Sequence, residues 1–340
     1  MKQLQGSPWL LAHRSMLKPN QPMKVSLLGN DYVLWQDSHG TISALPNACP
    51  HMGAMLSEGW CVTKPDGSSA IAKRGVSRIA CPFHALEFDP SGCTVLPGSN
   101  KQTKSLLQPL ELIVQGDFIW SYGGYEPKIP IPSIMNEIAA EYEFIGVTGE
   151  RSLPTDILSL LLNMHDYNHQ NGTHRELFEI EEVEVKQFMD EGLHSHAYLS
   201  QPRKQPKWRD ILKNPGQLAM PKVLEAHLEN FFPFMGLLHG EDKLLSLKEC
   251  HFYLPEAEDR SRVFVLMYMK AHSAIAHLIK GNLLKLIDVV VEQDAKILSK
   301  IYPHTPQRIK LNNEVGMDWV RRNFDNFPTV VEPNLSFSNC

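Results

Sequence analysis

Two short cysteine–histidine loops constrain this chain more than anything else in its sequence. Cys49-Pro50-His51 and Cys81-Pro82-Phe83-His84 form a C-x-H … C-x-x-H pair. Each half offers one thiolate and one imidazole from a segment stiffened by proline. Two cysteines and two histidines suit a tetrahedral zinc ion, or an iron–sulfur cluster in which two histidines replace two thiolates on one iron. The C-x-H order within a β-rich stretch is unusual for zinc fingers, which favours the cluster. Exposed imidazoles on such a cluster can carry electrons and protons to a partner.

The surroundings of the loops read as β. Lys24 to Gln36 holds two strand-like runs around Gly29-Asn30-Asp31, a hairpin signal. "HGTISAL" and "LELIVQGDFIWSYGG" add turn-bounded β segments. The proline-rich stretch Tyr125 to Ser133 marks a linker, so the chain is expected to divide into residues 1–130 and 131–340. In the second part Thr155 to about Gln170 is helix-like, with start signals at Pro154, Thr155 and Asp156. "VEVKQFMDEGLHSHAYLS" and "SRVFVLMYMKAH" read as strands, and Gly281 to Ile301 as a long helix. The expected fold class is α+β: an all-β N-terminal domain, then a domain of helices and antiparallel sheet.

Bulk properties exclude several function classes. A net charge of −5 makes no electrostatic case for nucleic acid. The best apolar run, Gly281 to Val291, is short and carries Lys285 and Asp288, so no membrane span is expected. The N-terminal "MKQLQGSPWLLAHRSMLK" lacks the pattern of a signal peptide, which points to a cytoplasmic protein. The six cysteines then read as ligands or free thiols before a disulfide framework.

A second concentration of imidazole lies at "NMHDYNHQNGTH", Asn163 to His174. On a helix Asn163, Asp166 and His169 form one row, and His165 with His169 makes an i, i+4 metal pair. Gly172 is a natural helix stop, after which the chain can bring His174 back toward His169. Both pairings fit the residues. A carboxylate to complete such a site is offered by the helix after Gly281. Ile287, Val291, Asp294, Leu298 and Ile301 share one stripe, while Asp288, Glu292 and Ser299 lie on the polar side. Asp294 alone is an acid within the apolar stripe, and a buried carboxylate needs a partner or a metal.

At these residues the chain resembles the Rieske non-haem iron oxygenases. "CPHMGA" and "CPFHALEFDPSG" look like the two cluster loops of that family. The resemblance implies that Cys49 and Cys81 hold one iron of a [2Fe–2S] cluster and His51 and His84 the other. The 29 residues from Met52 to Ala80 exceed the usual spacing, so about 62–79 reads as a surface insertion. Met52 stands where arginine is common, and Ala85-Leu86 where Gly-Trp is common; the four ligands are intact. Ala54 and Phe83 occupy the neighbourhood where respiratory-chain Rieske proteins carry a disulfide, which implies a low-potential cluster. Cys61 and Cys93 lie outside both loops and read as buried thiols.

N-x-x-D-x-x-H-x-x-x-x-H resembles the family's catalytic motif. It implies that His169 and His174 hold a mononuclear Fe(II), with His165 beside them, and that Asp294 of "VEQD" completes a facial triad. Asp166 would bridge to a cluster histidine of the next protomer in a homotrimer and hydrogen-bond His169. Asn163 would play a supporting or substrate-side role. The implied activity is that of a terminal oxygenase, monooxygenase before dioxygenase. It would use O₂ to hydroxylate or oxidatively demethylate a small, hydrophobic organic substrate. Electrons would come from NAD(P)H through a separate flavin reductase or ferredoxin, since no G-x-G-x-x-G follows a strand here. The pocket wall is expected from Trp208 to Leu238, including "FFPFMGLL", and from "SRVFVLMYMKAHSAIAH"; both could instead be core strands. The rival functions are a pure Rieske-type electron carrier and a zinc-stabilised binding protein.

Overall fold

The computed structural model describes residues 4–62, 77–96, 102–204, 221–241, 245–271, 273–302 and 305–328. Most of the expected insertion, and Trp208, lie outside the described residues. The chain separates into two compact units, one holding residues up to Ile131 with Leu254–Glu258, the other Pro132–Tyr253 with Asp259–Phe327.

Among the described residues the first unit is β apart from single helical turns. Its strands are β1 (Trp9–His13), β2 (Met23–Leu27), β3 (Asn30–Gln36), β4 (Ile42–Pro46), β5 (Trp60–Val62) and β6 (Arg78–Ala80), followed by β7 (Glu87–Phe88), β8 (Cys93–Val95), β9 (Gln102–Ser105), β10 (Ile113–Gln115) and β11 (Phe118–Ser121). They form three sheets, ordered β2-β3-β4, β1-β11-β10 and β5-β6-β7-β8-β9. The first hairpin turns one residue earlier than its sequence suggests. Leu27 pairs with Asn30, and Leu28 and Gly29 both take positive φ, at 51° and 84°. A two-residue turn of this hand requires positive φ at both central positions. Val33, Trp35, Leu45, Leu56, Ile79 and Phe88 pack into one core that also takes in Cys49 and Cys81. Among the remaining cysteines, Cys61 and Cys250 are free. Cys93 is disulfide-bonded, so its expected thiol is corrected; spacing along the chain does not reveal such a pairing.

The second unit is built on a seven-stranded sheet ordered β12-β18-β17-β16-β15-β14-β13. The strands are β12 (Glu143–Leu153), β13 (Glu184–Glu191), β14 (His194–Pro202), β15 (Val223–Phe231), β16 (Met235–Glu241), β17 (Leu245–Ala257) and β18 (Arg260–Ala271). The registered pairs are antiparallel. Among the described residues the helices are α1 (Ile134–Glu141), α2 (Ile157–His165), α3 (Arg175–Phe178), α4 (Ser273–Leu298) and α5 (Val315–Asn326). No helix among the described residues is long and apolar enough to cross a membrane.

The long helix α4 is set close against β12 by two glycines. A Cβ on Gly146 would lie 2.9 Å from Leu284 Cδ1, and one on Gly149 would lie 2.7 Å from Val291 Cγ2. The helix starts eight residues before the expected Gly281, because the apolar run after Ser273 resembles a continuation of β18. It also stops at Leu298. Ile301 is therefore exposed, while Ile287, Val291, Asp294 and Leu298 are buried as one stripe. On the opposite side Asp288 and Glu292 reach Arg151, each at 2.9 Å.

Candidate metal centres

The two cysteine–histidine loops are built alike. Cys49 N–H donates to Ala54 O at 2.9 Å, and Gly53 N–H donates to Cys49 O at 2.8 Å. In the second loop Cys81 N–H donates to Leu86 O at 2.8 Å, and Ala85 N–H to Cys81 O at 3.0 Å. Gly53 and Ala85 hold the same place and both take the left-handed conformation, at φ 75° and 54°. That conformation is free for glycine and costs alanine about 1 kcal/mol. It is the physical reason glycine is common at the second position.

The loops segregate their donors. Both thiols are buried in the core, whereas both imidazoles are exposed. His51 Nδ1 and His84 Nδ1 lie 3.2 Å apart. Burial pushes the Cys49 thiol above its ordinary value; the His51 amide pulls it down and Cys81 beside it pushes up again. Two thiols inside and two converging ring nitrogens outside fit the donor set of a cluster with one thiolate-bound and one imidazole-bound iron. Met52 and Phe83 stand exposed beside the rings at 66% and 59%. The Phe83 ring packs on His84, with centroids 4.1 Å apart.

The second constellation starts at α2. The Asp156 carboxylate accepts from Ser159 N–H at 3.0 Å and caps the helix. The helix ends at His165 rather than near Gln170. Asp166 leaves helical geometry at φ −84°, ψ 91°, and its carboxylate caps the single 3₁₀ turn Tyr167–Asn171 through Asn168 N–H at 3.0 Å. This break dissolves the His165/His169 face. His165 is buried, donates from Nδ1 to Leu161 O at 2.7 Å and packs on Trp319; burial lowers its pKa to about 4. Tyr167 roots the 3₁₀ turn in a core cluster with Ala197 and Leu199. Gly172 ends the turn without a left-handed conformation, at φ −107°.

His169 and His174 then face each other, ring centroids 5.1 Å apart. His169 Nε2 lies 3.6 Å from Asp294 Oδ1, and His174 Nε2 lies 3.3 Å from the same oxygen. The three donor atoms fall within 4.8 Å of one another. The far nitrogen of each ring is held. His174 Nδ1 donates to Gln293 Oε1 at 2.7 Å, and His169 Nδ1 donates to the Asp166 backbone carbonyl. The expected contact from the Asp166 carboxylate to His169 is thus replaced by one from its carbonyl, while one carboxylate oxygen caps the turn.

His174 Nε2 and Asp294 Oδ1 are buried, and neither makes a hydrogen bond of regular geometry. Such orphans are costly, and one divalent cation between the three donors would satisfy them. The set of two imidazoles and one carboxylate fits iron with open positions. Burial pushes the Asp294 carboxyl up, but the His174 and His169 imidazoles outweigh it, with the Asn163 amide adding, and hold it below the usual range. Burial pulls His174 down, yet Asp294 and Gln293 raise it above its ordinary value. A Cβ on Gly316, at the start of α5, would meet His165 O at 2.6 Å and the Tyr167 ring at 2.8 Å. α5 therefore presses directly on the break between α2 and the 3₁₀ turn.

The triad opens into a cavity of about 280 Å³, walled by Leu199, Leu228, Leu238 and Ile287. The β15–β16 stretch lines it as expected. β18 does not: Val263 to Met269 are core, and so are Phe232 and Phe234. The cavity's polar residues include Glu249 and His251, whose Nε2 lies 3.6 Å from Glu249 Oε2 while its Nδ1 is buried without a partner. Sequence reading missed Gln293, Glu249 and His251. Gln293 adjoins Asp294, and neighbours on a helix do not share a face. The other two sit in an ordinary strand alternation.

Comparison with known proteins adds three findings. Residues 7–107 match the Rieske [2Fe-2S] domain. The chain is 27% identical over 195 residues to aminopyrrolnitrin oxygenase of Pseudomonas fluorescens, covering 54% of this chain and 50% of that protein. It is 24% identical over 172 residues to the oxygenase component of dicamba O-demethylase from Stenotrophomonas maltophilia, covering 49% and 47%. The chain thus spans about half the length of the curated relatives it matches. Dicamba monooxygenase bound to dicamba has the same fold, with a TM-score of 0.74 at 19% identity over 95% of this chain and 97% of that one.

Proposed function

We propose, for a chain that belongs to the Rieske non-haem iron oxygenases, the role of a terminal monooxygenase acting on a small, mainly apolar organic molecule by hydroxylation or oxidative demethylation. The observation that carries this is the meeting of half-buried His169 with buried His174 and Asp294 at an apolar cavity. In this reading residues 1–130 form the cluster domain and 131–340 the catalytic domain. Cys49, Cys81, His51 and His84 hold the [2Fe–2S] cluster, and the His169–His174–Asp294 triad holds Fe(II). Loaded, the cluster supplies single electrons and the ferrous iron activates O₂.

The chain's own residues do the rest. Gln293 and the Asp166 carbonyl each take the Nδ1 hydrogen of a ligand histidine, so both Nε2 atoms keep their lone pairs for the metal. Leu199, Leu228, Leu238 and Ile287 exclude water and select an apolar substrate body. His251 offers one polar anchor. The Asn163 amide helps hold the Asp294 carboxyl below its usual range. Asp166 positions His169 and, in a homotrimer, faces a cluster histidine of the next protomer. Electrons derive from NAD(P)H through a ferredoxin or flavin reductase. The reading includes a cytoplasmic setting.

Anaerobic purification tests the proposal. Expected are a Rieske EPR signal, about three irons per chain and substrate-dependent O₂ uptake. A colourless, zinc-loaded protein without that signal would end it. Asp166→Asn is expected to keep both metal centres and lose most turnover; normal turnover would remove the bridging role.

A further inference from the structure

The face of the second sheet opposite the cavity carries imidazoles that the oxygenase site does not use. Strand alternation puts Leu199 and Leu228 toward the cavity, so His194, His196 and Tyr198 of β14 and His227 and Glu229 of β15 point the other way. His196 pairs with Glu229 and Tyr198 with His227 across the ladder, and His227 pairs with His239 of β16. At one corner Glu191, His194 and His196 bring three donor atoms within 4.8 Å of one another.

The hydrogen bonds around this corner decide what it can hold. His194 Nε2 lies 2.9 Å from Glu229 Oε1, so this nitrogen carries the hydrogen. His194 Nδ1 then aims its lone pair at Glu191 Oε2, 3.4 Å away. A lone pair facing a carboxylate is repulsive until a proton or a metal cation stands between them, and a metal can do so while also engaging His196. His196 Nδ1 lies 3.1 Å from His227 Nε2, a separation that needs one N–H between the rings. With that hydrogen on Nδ1, Nε2 of His196 is left as a donor. Each histidine thus has its far nitrogen occupied, one by a carboxylate and one by a second imidazole, the arrangement that orients metal-binding histidines.

The corner is also rigid. Glu191 and His194 close a two-residue turn, Gly192-Leu193, with Gly192 at φ 80°. Trp319 Nε1 and Asn323 Nδ2 of α5 both donate to the Gly192 carbonyl, at 2.8 Å and 2.9 Å. Arg322 holds Asp190 at 2.6 Å.

We infer that the β13–β14 hairpin tip is a second metal site, binding a divalent late transition ion of the zinc class through Glu191, His194 Nδ1 and His196 Nε2. Its two imidazoles and one carboxylate suit zinc, with water in the fourth position.

The test is zinc titration of cluster- and iron-loaded protein, with elemental analysis after gel filtration and a melting curve at each step. Wild type is expected to retain about one zinc per chain with its iron undisturbed, and to melt higher. Glu191→Gln and His196→Gln should abolish the retained zinc while keeping iron content and the cluster EPR signal. Glu229→Gln should weaken zinc by about 10–100-fold. His39→Gln, an exposed histidine elsewhere, should change nothing. Zinc retained equally by Glu191→Gln and His196→Gln, zinc taken up only as iron leaves, or no zinc retained by wild type would each overturn the site.

Discussion

The two candidate iron centres are assembled by opposite means. At the first, donors lie two or three residues apart on twin loops closed by their own backbone hydrogen bonds. At the second, a 3₁₀ turn delivers His169, the residue before α3 delivers His174 and the distant helix α4 delivers Asp294, and packing sets the distances. The first therefore depends on local turn chemistry and the second on tertiary structure. The loops leave their imidazoles in solvent, where a partner can reach them. The triad is enclosed, with His174 at 0% exposure and Asp294 at 6%.

The largest test of this contrast is a pair of ligand replacements. Asp294→Asn should strip the mononuclear iron and reduce turnover to background while leaving the cluster EPR signal intact. Cys81→Ser should remove that signal and leave mononuclear iron bound. If either replacement empties both centres, the two are not independently built.

A finer cut falls on Gln293, which touches His174 and was given no role within "VEQD". Gln293→Leu should weaken ferrous iron by about 10–100-fold, measured by anaerobic titration, because the His174 tautomer is no longer fixed. An unchanged affinity would mean packing alone orients the ring.

Smaller still is the strain in the second cluster loop. Ala85→Gly should raise stability by about 0.5–1 kcal/mol in chemical denaturation, and Gly53→Ala should lower it by a similar amount. Opposite signs at equivalent positions would demonstrate the likeness of the two loops directly. The smallest effect is expected at Asp288. It is half exposed and paired with Arg151, so Asp288→Asn should cost less than about 1 kcal/mol and leave iron content unchanged, in contrast to Asp294 six residues on.

The same contrast explains what could be read beforehand. The cluster loops were visible because their donors are contiguous. Asp294 was visible because one acid interrupted an apolar stripe whose period is fixed by the helix. The break after His165 was not. Asp166 and Gly172 are both plausible stops, and only the capping of Asn168 by Asp166 decides between them. The pocket wall was half legible. Both β15–β16 and β18 are apolar, and hydrophobicity does not say which strand lies under a cavity and which under a core. The extent of α4 was misjudged because strand and helix runs of apolar residues abut at Ala271.

Gly316 shows how far the iron geometry reaches. It touches no donor, yet its backbone is the floor on which the α2 break rests. Any side chain there acts as a shim, displacing the segment that leads into His169. The residue is kept small by clearance rather than by freedom of rotation. Drift at this position would surface as lost metal, in a helix that an inspection of the ligands alone would overlook.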